Sequence, residues 1–382
     1  MKKTSILTLL PIMFSFFVMG FVDIVGTSVG YVKKDFNISD TLSNLLPMMV
    51  FLWFAVCSIP TGLLMRKIGR KNTVLISAVV TVLAMILPFI SYSFPIMLCA
   101  FALLGIGNTI LQVSLNPLLA GIVEPQKLTG TLTFGMFIKA IASASGPILI
   151  AFAATRLGDW KLVFAAFAVA TVISFIWLVL VKVDEEKETG HQSTFLSVLA
   201  LLKDRYILAL FIVIVLIVGF EVGLMATVPK YFESNCGLTL EDGSYANTLY
   251  FIARTTATFI GAILLSRISI RKFSIVTLII GIAGMTVFML VSSHMILIIS
   301  LFIVGLMCAN VFPIAFSRAI QYKPEYKDEI SSLMILGISG GALLPPLMGV
   351  LADLTNQRVS LTISVLSLIL VFIIMLSVVK DK

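Results

Sequence analysis

Long, nearly unbroken apolar stretches separated by short polar breaks run through the whole chain. Twelve can be delimited: 6–32, 42–65, 72–91, 94–123, 128–154 and 160–182, then 205–232, 244–266, 273–292, 295–320, 329–353 and 358–379. Each reaches the ~20 residues a helix needs to cross ~30 Å of hydrocarbon, and the longer ones predict tilt or extension beyond the bilayer. Barrel strands would alternate polar and apolar residues, whereas these runs are solidly apolar. The pattern therefore predicts an all-α integral membrane protein of twelve transmembrane helices. The sizeable polar interruption, Lys182 to Arg205, contains Asp184-Glu185-Glu186-Lys187-Glu188 and divides the spans six plus six. We read it as a solvated linker, 183–204, between an N-terminal bundle, 1–182, and a C-terminal bundle, 205–382.

The polar residues inside the apolar runs change this picture. Asp23 and Glu221 sit in near-matching contexts, Gly20-Phe21-Val22-Asp23 and Gly219-Phe220-Glu221, 198 positions apart. The basic loops Arg66-Lys67-Ile68-Gly69-Arg70-Lys71 and Arg267-Ile268-Ser269-Ile270-Arg271-Lys272 lie 201 apart, and the mid-span prolines Pro117 and Pro313 lie 196 apart. Three features at nearly one offset predict two related, pseudo-symmetric halves. A carboxylate at bilayer depth costs several kcal/mol, so such residues face a cavity or a partner and mark a substrate or proton path. An acid repeated in each half of a polytopic chain points to transport.

Composition agrees. Of 382 residues, 59% are hydrophobic and 12% charged, about half the charge of a globular protein, and the mean hydropathy is +1.10. The net charge of +8 is no nucleic-acid signal, because its distribution is lopsided. Of the 27 Lys and Arg residues, 19 fall in loops or span ends on one side, 6 on the other, and Lys139 and Arg254 lie deep within spans. This asymmetry puts both termini in the cytoplasm, and the basic loops can also meet anionic lipid. The start, Met1-Lys2-Lys3 before an apolar run, is read as the first span, since the run contains Asp23 and is too long for a signal peptide. Cys57, Cys99 and Cys308 lie in spans and Cys236 stands alone in a loop, so neither a disulfide framework nor a metal site is expected. No Walker-type Gly-rich loop occurs, so ATP, any other cofactor and catalytic residues are absent from the expectation.

Corresponding spans of the two halves, the first, fourth, seventh and tenth, are expected to line the path. On the fourth, Asn108, Gln112 and Asn116 are spaced by four and share one helical face. Amides offer both donors and acceptors, which suits a polyhydroxylated ligand, although helix–helix hydrogen bonds use them too. Asn310 on the tenth span is the related candidate. Trp53, beside Phe51 and Phe54, and Tyr250, beside Phe251, could form an aromatic wall against a sugar ring. Asp23 is a candidate proton carrier, cation ligand or half of a structural ion pair. Glu221 has coupling and structural readings alike, and Lys139 and Arg254 could neutralise the two acids.

Several strings carry a resemblance. Pro60-Thr61-Gly62-Leu63-Leu64-Met65-Arg66-Lys67-Ile68-Gly69-Arg70-Lys71 resembles the loop motif between the second and third spans of the major facilitator superfamily, with Arg66 where the family carries Asp. More narrowly, Ser114-Leu115-Asn116-Pro117, Phe312-Pro313-Ile314-Ala315-Phe316-Ser317 and the run Gly340 to Gly349 resemble the fucose:proton symporter family. The resemblance implies the major facilitator fold, with inverted three-span repeats inside each half and one half rocking against the other. It further implies a monomeric, proton-coupled importer of a hexose or deoxyhexose in a bacterial inner membrane, with gating loops at Gly62, Arg66, Gly69, Arg70, Arg267 and Arg271. The fourth-span acid of that family falls at Gln112, which leaves Asp23, with Glu221, as the coupling candidates. A sugar uniporter, or a carrier of organic anions or acidic sugars held by Lys139 and Arg254, is the alternative.

Overall fold

The computed structural model describes residues 6–123, 125–183, 195–264, 268–323 and 326–378. Among these, eleven helices are long and apolar enough to cross a membrane: Thr8–Phe36, Asp40–Gly62, Arg70–Ile90, Phe94–Leu119, Phe134–Arg156, Leu162–Leu180, Arg205–Cys236, Ile270–Leu290, His294–Tyr322, Leu333–Leu354 and Gln357–Val378. A further helix, Leu240–Leu264, carries Glu241, Asp242 and Arg254. It occupies the eighth position and completes the expected twelve. We number the spans first to twelfth in chain order.

The buried apolar side chains gather in two clusters. One draws on residues from Ile12 to Leu178, joined by Val222, Ala226 and Ala342; the other runs from Val198 to Met375, joined by Ile59. Between the two sets, the first span packs on the seventh, the second on the eleventh and the fifth on the eighth.

The spans differ from uniform rods. The first is interrupted by a 3-10 turn at Gly20–Asp23 and continues to Phe36, four residues past the expected end. It stops at Asn37, whose φ of 48° turns its backbone N–H back onto the carbonyls of Lys33 and Lys34. The tenth is two helices, His294–Cys308 and Val311–Tyr322, so Pro313 sits in a first helical turn rather than mid-helix. That position costs nothing, because the N–H proline lacks has no intrahelical acceptor there. The eleventh passes through a 3-10 stretch, Gly337–Ala342, at its Gly-rich run. Such breaks free backbone groups inside the membrane, where they must be satisfied within the protein.

The last part of the linker, 195–204, is packed rather than solvated. Residues 184–194, with the acidic run, lie outside the described residues, but Phe195–Ala200 is helical and Leu201–Lys203 forms a 3-10 turn. Val198 and Leu201 are buried in the second cluster. An apolar residue every three or four positions is enough to dock this piece on the bundle.

Candidate functional site

The repeated Gly-Phe pairs place the two acids by close packing. A Cβ on Gly20 would lie 2.6 Å from both the Lys139 carbonyl oxygen and the Ala142 Cβ of the fifth span. A Cβ on Gly219 would lie 2.7 Å from the Gly340 carbonyl oxygen of the eleventh. The fifth and eleventh spans occupy equivalent places in the two sets of six, so the glycines perform one task twice. Each lets its acid-bearing helix touch a neighbour's backbone.

Asp23 closes the 3-10 turn of the first span and accepts a hydrogen bond from the Ser143 hydroxyl of the fifth span. Glu221 is ion-paired with Arg254 of the eighth span at 2.8 Å and hydrogen-bonded to Tyr250, one turn earlier on that span. The charges of Asp23 and Lys139 also reach the Glu221 carboxylate, and that of Asp23 reaches Arg254. Two acids and two bases, one of each from either set of six, thus form one electrostatic cluster. Lys139 has no ion-pair partner within 4.0 Å among the described residues, so the expected two-by-two neutralisation is realised as a pair only at Glu221 and Arg254.

The amide stripe divides by task. Asn108 donates from Nδ2 to the Met19 carbonyl oxygen at 2.9 Å, immediately before the 3-10 turn. Gln112 donates from Nε2 to Asn108 Oδ1 at 2.7 Å. Asn108 is therefore engaged at both ends, holding the turn that carries Asp23. Asn310, at the break of the tenth span, donates to the Ala257 carbonyl oxygen of the eighth at 2.9 Å. Asn116 differs, since its Oδ1 is buried without a hydrogen-bond partner among the described residues. The Trp53 indole N–H is in the same condition. An acceptor and a donor left open within a helical bundle suit a hydroxylated ligand.

The other aromatic candidates are packed away. Phe51 and Phe54 stack with centroids 5.8 Å apart and are buried, as are Tyr250 and Phe251. Among the candidate gating residues, Gly69 has φ 89° and is the single residue reversing the chain between the second and third spans. Arg70 lies against Gly121 at the end of the fourth span, 3.0 Å from the position of its would-be Cβ. Gly62 has open space around its Cβ position, and Arg271 starts the ninth span beside Ser274 and Phe372. The Arg66 side chain and all of Arg267 lie outside the described residues.

The sequence profile of the Major Facilitator Superfamily matches residues 12–246 and 210–382. The chain belongs to this superfamily. The fold agrees with solved members. It superposes on the Escherichia coli fucose:proton symporter FucP with a TM-score of 0.71 at 15% identity, covering 100% of both chains. On the nucleoside transporter NupG the TM-score is 0.81 at 14% identity, covering 98% of this chain and 100% of that one. In sequence it is 25% identical over 355 residues to a glucose/galactose transporter of Brucella abortus, covering 88% of this chain and 86% of the relative. These superfamily relatives are transporters rather than enzymes, and the chain is a multi-pass membrane protein.

Outside this cluster lies a set of polar residues that the sequence analysis did not single out. Asp40 at the start of the second span accepts from Lys33 at 2.6 Å, from Lys230 at 2.7 Å and from Gln357 at 2.7 Å. Lys230 and Gln357 come from the seventh and twelfth spans. The available signal was Lys230 itself, a cation in an otherwise apolar run, but its partner is 190 residues away in sequence.

Proposed function

We propose that this protein imports a monosaccharide, a hexose or deoxyhexose, by proton symport through alternating access. The observation that carries the reading is the cluster of Asp23, Lys139, Glu221 and Arg254, built across the two sets of six spans. A charge-bearing centre shared by two parts that move against each other is where a proton and a solute can be linked. The substrate class is supported by the glucose/galactose relative and by the open hydrogen-bonding atoms of Asn116 and Trp53. Asp23 is the principal proton carrier and Glu221 the second. Gln112, Asn116 and Trp53 contact the sugar, while Asn108, Asn310 and Tyr250 hold the site in shape. Residues 1–182 and 205–382 move as the two units, with the loops at Gly62, Arg66, Gly69, Arg70, Arg267 and Arg271 at their hinge end. The protein works as a monomer in the bacterial inner membrane, with both termini and the 182–205 segment in the cytoplasm.

The test is thermal stabilisation of the purified protein by a panel of hexoses, deoxyhexoses, nucleosides and hexuronates, followed by counterflow of any binder in proteoliposomes. A ligand that binds the folded state raises its melting temperature by mass action. Stabilisation by nucleosides alone would refute the sugar assignment. Lys139, a cation with no ion-pair partner among the described residues, favours a second reading, an acidic sugar, and stabilisation by hexuronates but not hexoses would select it.

A further inference from the structure

We propose that Asp40 is the hub of the closure that seals the extracytoplasmic end of the transport path. It acts as a positioning residue that ties the first six spans to the last six whenever the path faces the cytoplasm. The inference rests on the transporter reading and the orientation given above.

Asp40, at the start of the second span, is 6% exposed and its partner Lys230, within the last two turns of the seventh, is 3% exposed, although both carry charge. Oδ1 of Asp40 takes Lys230 of the seventh span, while Oδ2 takes Lys33 of the first and Gln357 of the twelfth. Lys230 also reaches Asn44 Oδ1 at 3.4 Å. Asp353, at the end of the eleventh span, reaches back across the same seam. It accepts the backbone N–H groups of Asp40 at 2.8 Å and Thr41 at 2.7 Å, together with the Thr41 hydroxyl.

A second tier lies deeper. Asn247 of the eighth span donates to Thr27 Oγ1 of the first at 3.1 Å and to the Met225 carbonyl oxygen of the seventh at 2.9 Å. Glycines allow this approach, since a Cβ on Gly26 would lie 2.7 Å from the Met225 Cβ and one on Gly349 would lie 2.7 Å from the Asp40 carbonyl oxygen.

Apart from Lys33 with Asp40 and Asn247 with Met225, which lie within one set of six, these contacts join residues that must separate if the path is to open at this end. A buried ion pair is strongly coupled to its surroundings, because breaking it leaves desolvated charge, and it gives little net stability when a hydrophobic pair could replace it. Its value is conformational. Opened to water, Asp40 and Lys230 are each resolvated, so the pair can separate without stranding a buried charge.

Ala226 supplies the reporter. It is 0% exposed and lies one helical turn inward of Lys230 on the same face. In a background with Cys57, Cys99, Cys236 and Cys308 replaced, Ala226→Cys is exposed to a membrane-impermeant maleimide from outside the cell. The parent should label slowly, and adding Asp40→Asn or Asp353→Asn should raise the rate at least threefold. In a second arm, Thr41→Cys with Asp353→Cys is bridged by a short bifunctional thiosulfonate. Bridging should lower turnover more than tenfold, and reduction should restore it. Unchanged labelling of Ala226→Cys in an Asp40→Asn protein that keeps the parent melting temperature would overturn the proposal, as would full-speed transport by the bridged protein. If Asp40→Asn does not fold, the bridging arm decides. Labelling needs no substrate, so its failure is distinct from a wrong sugar assignment, which the stabilisation panel reads.

Discussion

Arg254 of the eighth span holds Glu221 of the seventh at 2.8 Å, Nη1 to Oε1, so the second acid meets a full cation within the last six spans. Asp23 has a neutral partner in the Ser143 hydroxyl. A hydroxyl can both donate to a carboxylate and accept from a carboxylic acid, so the Asp23 site tolerates either protonation state. Glu221 faces the Arg254 guanidinium instead.

Asp23→Asn should abolish uphill accumulation under a pH gradient while sparing sugar binding and counterflow, because the amide mimics the protonated acid. Proteoliposome uptake beside counterflow measures both, and full gradient-driven accumulation by the variant would rule out Asp23 as the carrier.

Glu221→Gln and Arg254→Met should each lower stability by about 1–3 kcal/mol, since each leaves a poorly solvated partner without its counter-charge. The Arg254 side chain is 37% exposed, which keeps the effect below that of a fully buried pair. The double variant should be less destabilised than the sum of the two. Thermal melts of the three proteins form the cycle that decides this.

Asn116→Ala should weaken sugar binding by ~1–3 kcal/mol, roughly five- to more than a hundredfold, with little change in melting temperature. Asn108→Ala should do the reverse. It removes the donor to the Met19 carbonyl oxygen and should lower the melting temperature before it alters affinity. Calorimetric titration and melts of both proteins separate the two roles. Equal affinity of Asn116→Ala and the parent would make that amide structural.

Asp204 caps the seventh span by accepting the N–H groups of Tyr206 and Ile207, and it pairs with Lys323 at 2.7 Å. Burial pushes its carboxyl upward, but Lys323 and the two amides outweigh burial and hold it below the usual carboxylate range. A folded-state pKa below the unfolded value of ~3.9 means the contribution is complete above that pH and is lost as pH falls through the folded value. Asp204→Ala should cost about 1 kcal/mol at pH 7, and Asp204→Asn less, since Asn also caps helices well. The gap between parent and Asp204→Ala should narrow below pH 4, as read by melts across pH.

Gly20→Val should destabilise the protein by about 1–3 kcal/mol or prevent folding, because the added carbons meet the fifth-span backbone. Gly62→Val, with open space around its Cβ, should change the melting temperature little. Expression and melting of the pair provide the control.

Membrane insertion, helical class and the number of spans were legible in the sequence because hydrophobic length is a local property: each run meets the hydrocarbon thickness by itself. The repeat was legible for the same reason, since Asp23 and Glu221 keep their Gly-Phe neighbours whatever the fold does. The 3-10 turn at Gly20–Asp23 and the break before Asn310 were not legible. At the first of these, Asn108 from another span donates to the Met19 carbonyl, and no local pattern records that donor. The division of labour along Asn108, Gln112 and Asn116 was hidden likewise, as equal spacing puts three amides on one face without saying which of them meets a backbone carbonyl. Tertiary structure alone decided that Arg254, not Lys139, pairs with Glu221, and that Asp40 gathers Lys33, Lys230 and Gln357. A hydrogen bond or direct ion pair needs its two partners within about 3–4 Å, so the pairing is set by which span ends converge, and that follows from packing across the whole bundle.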